Sequence, residues 1–287
     1  MSNDDLRWHR LSIRRHEINI VKTVEVFDKA GIDTILFKGW VAAQNYPNDR
    51  PRFFGDIDIA VSGQDFNKAK TLLAESIDFL ALIDIHREFR HLDTVAWDLL
   101  FSRSEIVQID NTKIRVLRPE DHLRILAVHW LNDGGEHKDR LWDIYFAVNN
   151  RPKDFNWKLC LDSVEPFRRR WVTTTIMLAH IYLGLDISDV PLTRDEKTIP
   201  NWLKKTIEKE WASDVRLRQL DTCYREPKVF LQQLRKRFPP NPIQATIETN
   251  SELDAKSRIP IQLKNIWIRS KSFAQRVLNR HKKRRKS

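Results

Sequence analysis

Phe54-Gly55-Asp56-Ile57-Asp58-Ile59-Ala60-Val61 reads as a β-strand whose two faces differ in kind. Side chains alternate across a strand, so Ile57, Ile59 and Val61 turn to a core while Asp56 and Asp58 share the opposite face. Two adjacent ionised carboxylates repel unless a proton or a cation lies between them. The pair is therefore a natural seat for Mg²⁺, a hard cation that favours oxygen ligands and substrate phosphates. The same pattern arises on the solvated face of a half-buried sheet, so its meaning depends on what surrounds it.

Upstream, Ile13 to Ala30 has helical apolar spacing through Ile13, Ile20, Val24 and Phe27, with Gly31 as its stop. Asp33 to Phe37 (DTILF) reads as a strand, and a short helix through Val41, Ala42 and Ala43 precedes Pro47. Downstream, Ser62 can cap a helix through Leu72 and Leu73. Strands are expected at Phe79–Ile85 and Thr94–Phe101, then a hairpin over Ile106–Leu117 that turns at Asn111-Thr112. Pro119 opens a helical region, with Glu120 and Asp121 suited to the first turn. Helices are expected at 119–132, 136–149, 155–185 with a break at Pro166, 200–211, 213–224 and 226–238. No glycine follows Gly184, which favours long helices, and Phe238–Pro260, with its PPNP, reads as a linker or irregular arm. The expected fold class is α+β. A small mixed β-sheet forms the N-terminal domain (1–117), an α-helical domain follows (118–238), and 239–287 is a linker and basic C-terminal tail.

Composition narrows the function classes. The chain has 287 residues, 41% hydrophobic and 31% charged, which excludes wholesale disorder. Its two cysteines, Cys160 and Cys223, exclude a disulfide framework and a four-cysteine zinc site, and they fit a reducing, cytoplasmic setting. The net charge of +11 belongs to the end of the chain. Lys264–Ser287 holds ten Lys/Arg and no Asp/Glu, leaving 40 basic against 39 acidic residues elsewhere. The N-terminus has no apolar signal-peptide core, and the apolar run Trp171–Leu185 is too short for a normal membrane span and reads as a buried helix.

A third carboxylate, Asp98, stands alone among apolar residues in Thr94–Phe101 (TVAWDLLF). Burying it unpaired is costly, so a strand here beside Phe54–Val61 would bring Asp56, Asp58 and Asp98 to one metal site. Metals held this way activate an attacking oxygen and stabilise a leaving one. Lys38-Gly39 ends the preceding strand, Tyr46-Pro47 follows, and Arg52 lies four positions before Asp56. This order resembles the polymerase-β-like nucleotidyltransferase superfamily, and more closely its uncharacterised bacterial nucleotidyltransferase family. That family has a strand ending in KG and an R-x-x-G-D-I-D segment. Its later strand carries an Asp within a vDLHW-like motif, which Trp97-Asp98-Leu99-Leu100-Phe101 matches at the Asp without the His. Arg118-Pro119-Glu120-Asp121 with His129, and Leu141-Trp142-Asp143, match its later helical features. The resemblance covers roughly residues 30–150.

The resemblance implies a Mg²⁺-dependent nucleotidyltransferase that moves a nucleoside monophosphate from an NTP to an acceptor and releases pyrophosphate. Asp56 and Asp58 would hold the metal, and Asp98 would complete the catalytic and metal site. Nucleotide binding falls to Lys38, Gly39 and Arg52. Gly39 lets the backbone approach phosphates, and Lys38 adds positive charge where the superfamily more often has Gly-Ser. Arg52 either contacts phosphate through its fork of donors or forms a salt bridge beside the loop. The acceptor could be a sugar, a small molecule, a protein side chain or an RNA end. The alternative is a non-catalytic nucleotide- or partner-binding module whose basic tail contacts RNA or an anionic membrane.

Other residues carry less. His129 is a core histidine or a polar residue facing the cleft, and Asp143 is expected to pair with Arg140. His86 and His91 lack zinc-ligand spacing, and the chain has neither a phosphate-binding P-loop nor a GxGxxG segment. In the tail, Trp267, Phe273, Ala274, Val277 and Leu278 can share one helical face, and a helix docked on the body with a solvated HKKRRKS end is the expected arrangement.

Overall fold

A computed structural model describes residues 3–75, 83–215, 217–218, 220–223 and 225–284, side chains excepted at 3–6, 9, 221, 272–274 and 276–284. The chain is α+β. Its N-terminal part runs α1 (Asn3–Lys29), β1 (Thr34–Phe37), α2 (Gly39–Ala43), β2 (Ile57–Val61), α3 (Phe66–Glu75), β3 (Ile83–Arg87), α4 (Trp97–Arg103), β4 (Glu105–Ile109) and β5 (Thr112–Val116). The remainder is helical: α5 (Pro119–Asn132), α6 (Leu141–Asn149), α7 (Trp157–Asp162), α8 (Pro166–Leu183), α9 (Asn201–Trp211), α10 (Pro227–Arg237), α11 (Pro242–Glu248) and α12 (Ile259–Arg284).

The five strands form one mixed sheet in the order β3-β2-β1-β5-β4. β1 is antiparallel to β2 and parallel to β5, and β2 is parallel to β3. Alternation sorts the two faces. Leu36, Ile57, Ile59, Val61, Ile114 and Val116 pack under Ile20, Val24 and Phe27 of α1. Ile35, Phe37 and Ala60 point the other way, into a core shared with α5, α6 and α8. Asp58 lies two residues before Ala60 and so shares this second face. The register sets Asp58 opposite Phe37 and Asp84, and Ala60 opposite His86.

Several expectations are corrected. β2 begins at Ile57, so Asp56 lies just before the strand. Thr94–Phe101 is not a strand: Trp97–Arg103 is the helix α4. Trp97, Leu100 and Phe101 stand at helical spacing, with Leu100 buried, Trp97 and Phe101 packed on the core and Leu99 half exposed. The strand expected at Phe79–Ile85 occurs as Ile83–Arg87, and 76–82 lie outside the described residues. The hairpin turns one residue early, at Asp110-Asn111, where Asp110 takes a φ of 52°. The helix expected at 213–224 is, among the described residues, only a 3₁₀ turn over Leu220–Thr222. Nearby backbone groups are claimed by α10 instead: Arg218 N–H bonds Gln233 Oε1, and the Val215 carbonyl accepts from Lys236. The stretch read as a linker contains α11, whose Ile243, Ala245, Thr246 and Ile247 are buried. The long helix over 155–185 breaks before Pro166, giving α7 and α8. No helix among the described residues is long and apolar enough to cross a membrane.

Candidate active site

The site begins at the end of β1. Lys38 has a φ of 54° and ψ of −129°, a backbone conformation that residues with a Cβ avoid. Its surroundings hold it there. Its N–H donates to His122 Nε2 at 3.1 Å, and its carbonyl accepts from Ala42 N–H at 2.7 Å. Its ammonium reaches Asp58 Oδ1 at 2.6 Å and lies 5.0 Å from the centre of the Phe37 ring. Burial pushes the His122 pKa down to about 4, so the ring is neutral near pH 7 and Nε2 can accept. Gly39 suits the turn after Lys38: a Cβ there would lie 3.2 Å from the Asp56 carbonyl oxygen, a tight contact.

β2 and β3 supply the acidic side. Asp58 is nearly fully buried, and His86 Nε2 lies 2.9 Å from its Oδ1. Burial alone would raise the Asp58 pKa. The bond to His86 and the charge of Lys38 outweigh it and hold the pKa below its ordinary value, so the group is a carboxylate. His86 Nε2 is also 3.2 Å from Asp84 Oδ2, whose side chain is exposed. Ligand atoms of Asp58, Asp84 and His86 all lie within 4.8 Å of one another. Two carboxylates and an imidazole suit a divalent cation, and the ammonium on Asp58 marks this as a place where positive charge is stabilised.

Lys38, Gly39, Asp58 and Asp84 line a cleft of about 740 Å³, together with the exposed Asp56 and residues of α5, α6 and α9. On α5, His122, Leu126 and His129 stand at helical spacing; the last two line the cleft. Burial lowers the His129 pKa to about 4, against the pull of Asp133 3.6 Å away. The rest of the lining is largely cationic and aromatic. The Arg50 guanidinium stacks 3.5 Å over Trp142, Lys138 lies 5.1 Å over Trp211, and Arg140 pairs with Asp133 at 2.8 Å.

Of the residues expected here, Lys38, Gly39, Arg52, Asp56 and Asp58 all line the cleft. Arg52 takes the salt-bridge form: Nε and Nη2 bond the two oxygens of Asp143 at 2.6 and 2.8 Å, and Nη1 bonds the Gly39 carbonyl at 3.3 Å. Burial opposes the Arg52 charge, and the Asp143 contacts outweigh it and raise its pKa. Asp143 thus pairs with Arg52 and with the Tyr46 hydroxyl at 2.6 Å, whereas Arg140, its expected partner, turns to Asp133. Asp98 is not brought to the site. It lies exposed in the first turn of α4, away from the cleft lining, because the strand that would have carried it there is a helix. In its place stand Asp84 and His86. The pattern Ile83-Asp84-Ile85-His86 repeats the alternation of Ile57-Asp58-Ile59-Ala60 and supplies an Asp together with the His that the Trp97–Phe101 segment lacks.

Residues 5–76 match the family model described as an uncharacterised nucleotidyltransferase. The matched span takes in Lys38, Gly39, Arg52, Asp56 and Asp58 and ends before β3. It supports a role in nucleotidyl transfer in general. No curated protein and no solved structure matches the chain.

Proposed function

We propose that the cleft is the active site of a Mg²⁺-dependent nucleotidyltransferase, which moves a nucleoside monophosphate from an NTP to an acceptor and releases pyrophosphate. The observation that carries the reading is Asp58: a buried carboxylate kept charged by Lys38 and His86, beside Asp84, within a segment that matches a nucleotidyltransferase family.

Asp56 and Asp58 would hold the metal, with Asp84 and His86 at its edge. Bound Mg²⁺ supplies a Lewis acid for the α-phosphoryl group and compensates charge on the departing pyrophosphate. The chain's own residues do the rest. Lys38, already stripped of most of its water, offers its charge to the triphosphate. Arg50, Lys138 and Arg140 line the same cleft as the carboxylates and suit the β- and γ-phosphates. Trp142 and Trp211 offer flat surfaces for the base. Arg52, with its donors engaged, is a positioning residue that ties the 50–55 loop to α6. The acceptor oxygen attacks the α-phosphorus, the bond from that phosphorus to the pyrophosphate oxygen breaks, and the acceptor proton passes to a carboxylate. Asp84, whose side chain is 62% exposed, is the candidate for that proton.

Labelled nucleotides test this reading. Purified protein with α-labelled NTP, Mg²⁺ and fractionated sugars, small molecules, proteins and RNA is expected to label one acceptor class. The Asp56→Ala/Asp58→Ala variant should not. Label from the γ-position reaching the acceptor would mean phosphoryl transfer instead, and turnover retained in the double variant would remove the carboxylates from the chemistry.

A further inference from the structure

The two sides of α12 are unlike. One is docked on the body. Ile261 and Asn265 are buried, and Asn265 and Arg269 bond Glu248 of α11 at 2.7 to 2.9 Å. Gln262 bonds the Pro240 carbonyl at 2.6 Å, and Lys264 the Thr249 carbonyl at 3.1 Å. The other side carries Ile259, Leu263 and Trp267 at four-residue spacing, exposed by 67, 61 and 65%. A single exposed leucine is ordinary, but three large apolar side chains in a row on one helix form a patch. In sequence, Ala274 and Leu278 follow seven and eleven positions after Trp267, again at helical periodicity. The Lys271 ammonium sits 5.4 Å over the Trp267 ring. Beyond Asp254 the chain holds twelve Lys/Arg and no Asp/Glu.

We propose that α12 docks on an anionic phospholipid surface, lying in its plane with Ile259, Leu263 and Trp267 among the upper acyl chains and the flanking Lys/Arg against the head groups. Charge complementarity selects this occupant. A second copy would bring two strongly basic segments together without a counter-charge. RNA would satisfy the basic residues and could stack on Trp267, yet it leaves Ile259 and Leu263 in water. A bilayer interface takes both kinds of side chain at once, tryptophan included. A helix with an apolar row and a basic border lies on a membrane instead of crossing it. This inference rests on α12 alone and stands apart from the chemistry of the cleft.

Sedimentation of the full-length protein with phosphatidylcholine vesicles, with and without phosphatidylserine, tests it at physiological salt. Wild type is expected to partition onto the phosphatidylserine vesicles. Leu263→Ser/Trp267→Ser should bind at least about tenfold more weakly, since each apolar side chain contributes roughly that factor when buried. Its thermal transition should be unchanged, because both side chains are exposed. Ile259→Ser alone should give a smaller loss, which keeps the test usable if the double variant misfolds. Undiminished binding by the folded double variant would leave tail charge as the whole cause and overturn the proposal. So would absence of wild-type binding, or dimerisation or RNA binding that depends on the same row in its place.

Discussion

Gly55–Val61 and Val95–Phe101 look alike as strings: each sets an aspartate among apolar residues next to a core. They fold oppositely. In β2 the apolar residues fall at every second position, so Asp58 turns to the face that Ala60 and Phe37 share and meets Lys38, Asp84 and His86. In α4 the residues that pack are Trp97, Leu100 and Phe101, at helical spacing, and Asp98 is left in solvent. An aspartate in an apolar run is therefore not a site by itself. What makes Asp58 one is the pair of strands beside it, because register brings Lys38 and His86 to one of its oxygens, with Asp84 against the same imidazole.

Mutation can break this contrast directly. Asp58→Asn should lower transfer by about 10²–10³-fold or more, measured as α-label incorporation, since it removes the charge on which the site is organised. Asp84→Asn should cost about 10²-fold, mainly in kcat, if it takes the acceptor proton. The next effect is in stability. His122 titrates near 6.5 when unfolded and at about 4 in the fold, where burial disfavours its charge. The unfolded chain thus binds the proton first as pH falls. The stability His122 contributes is fully present above about pH 6.5 and is lost progressively down to about pH 4, by roughly 3 kcal/mol. Urea unfolding across that range should show a shallower pH slope in His122→Gln. A smaller effect belongs to the Lys38 backbone. Both Lys38→Gly and Lys38→Met remove the ammonium, but only glycine fits a φ of 54° without strain, so the glycine variant should be more stable than the methionine one by about 1–2 kcal/mol. Smallest of all, Asp98→Asn should leave transfer within about twofold and stability within about 0.5 kcal/mol, as for an exposed residue away from the site.

Local signals made part of this legible beforehand. The strict alternation of Ile57–Val61, Lys38-Gly39 at a strand end and Pro119 at a helix start are read within a few residues, and β1, β2 and α5 lie where they point. The remainder depends on distant partners. Asp84 and His86 gain their place from the pairing of β3 with β2, and nothing in the local sequence fixes that register. Arg52 finds Asp143 ninety-one positions away. Val95–Phe101 is short enough to satisfy both periodicities, and the core decides between them. Residues 215 and 218 lose their helical bonding to side chains of α10. The PPNP run hid a helix start: Pro242 opens α11, and Asn241 Oδ1 accepts from the Ile243 and Gln244 N–H groups at 2.9 and 3.2 Å.

The most direct measurement is a thermal-shift comparison of wild type, Asp58→Asn and Asp98→Asn with each of the four NTPs, with and without Mg²⁺. A nucleotide at about 100 times its dissociation constant should add roughly 2.7 kcal/mol of stability. The expected result is a Mg²⁺-dependent rise in Tm with at least one NTP in wild type and in Asp98→Asn, and none in Asp58→Asn. A rise that survives Asp58→Asn, or one that Asp98→Asn abolishes, would contradict the assignment of the cleft around Asp58 as the nucleotide site.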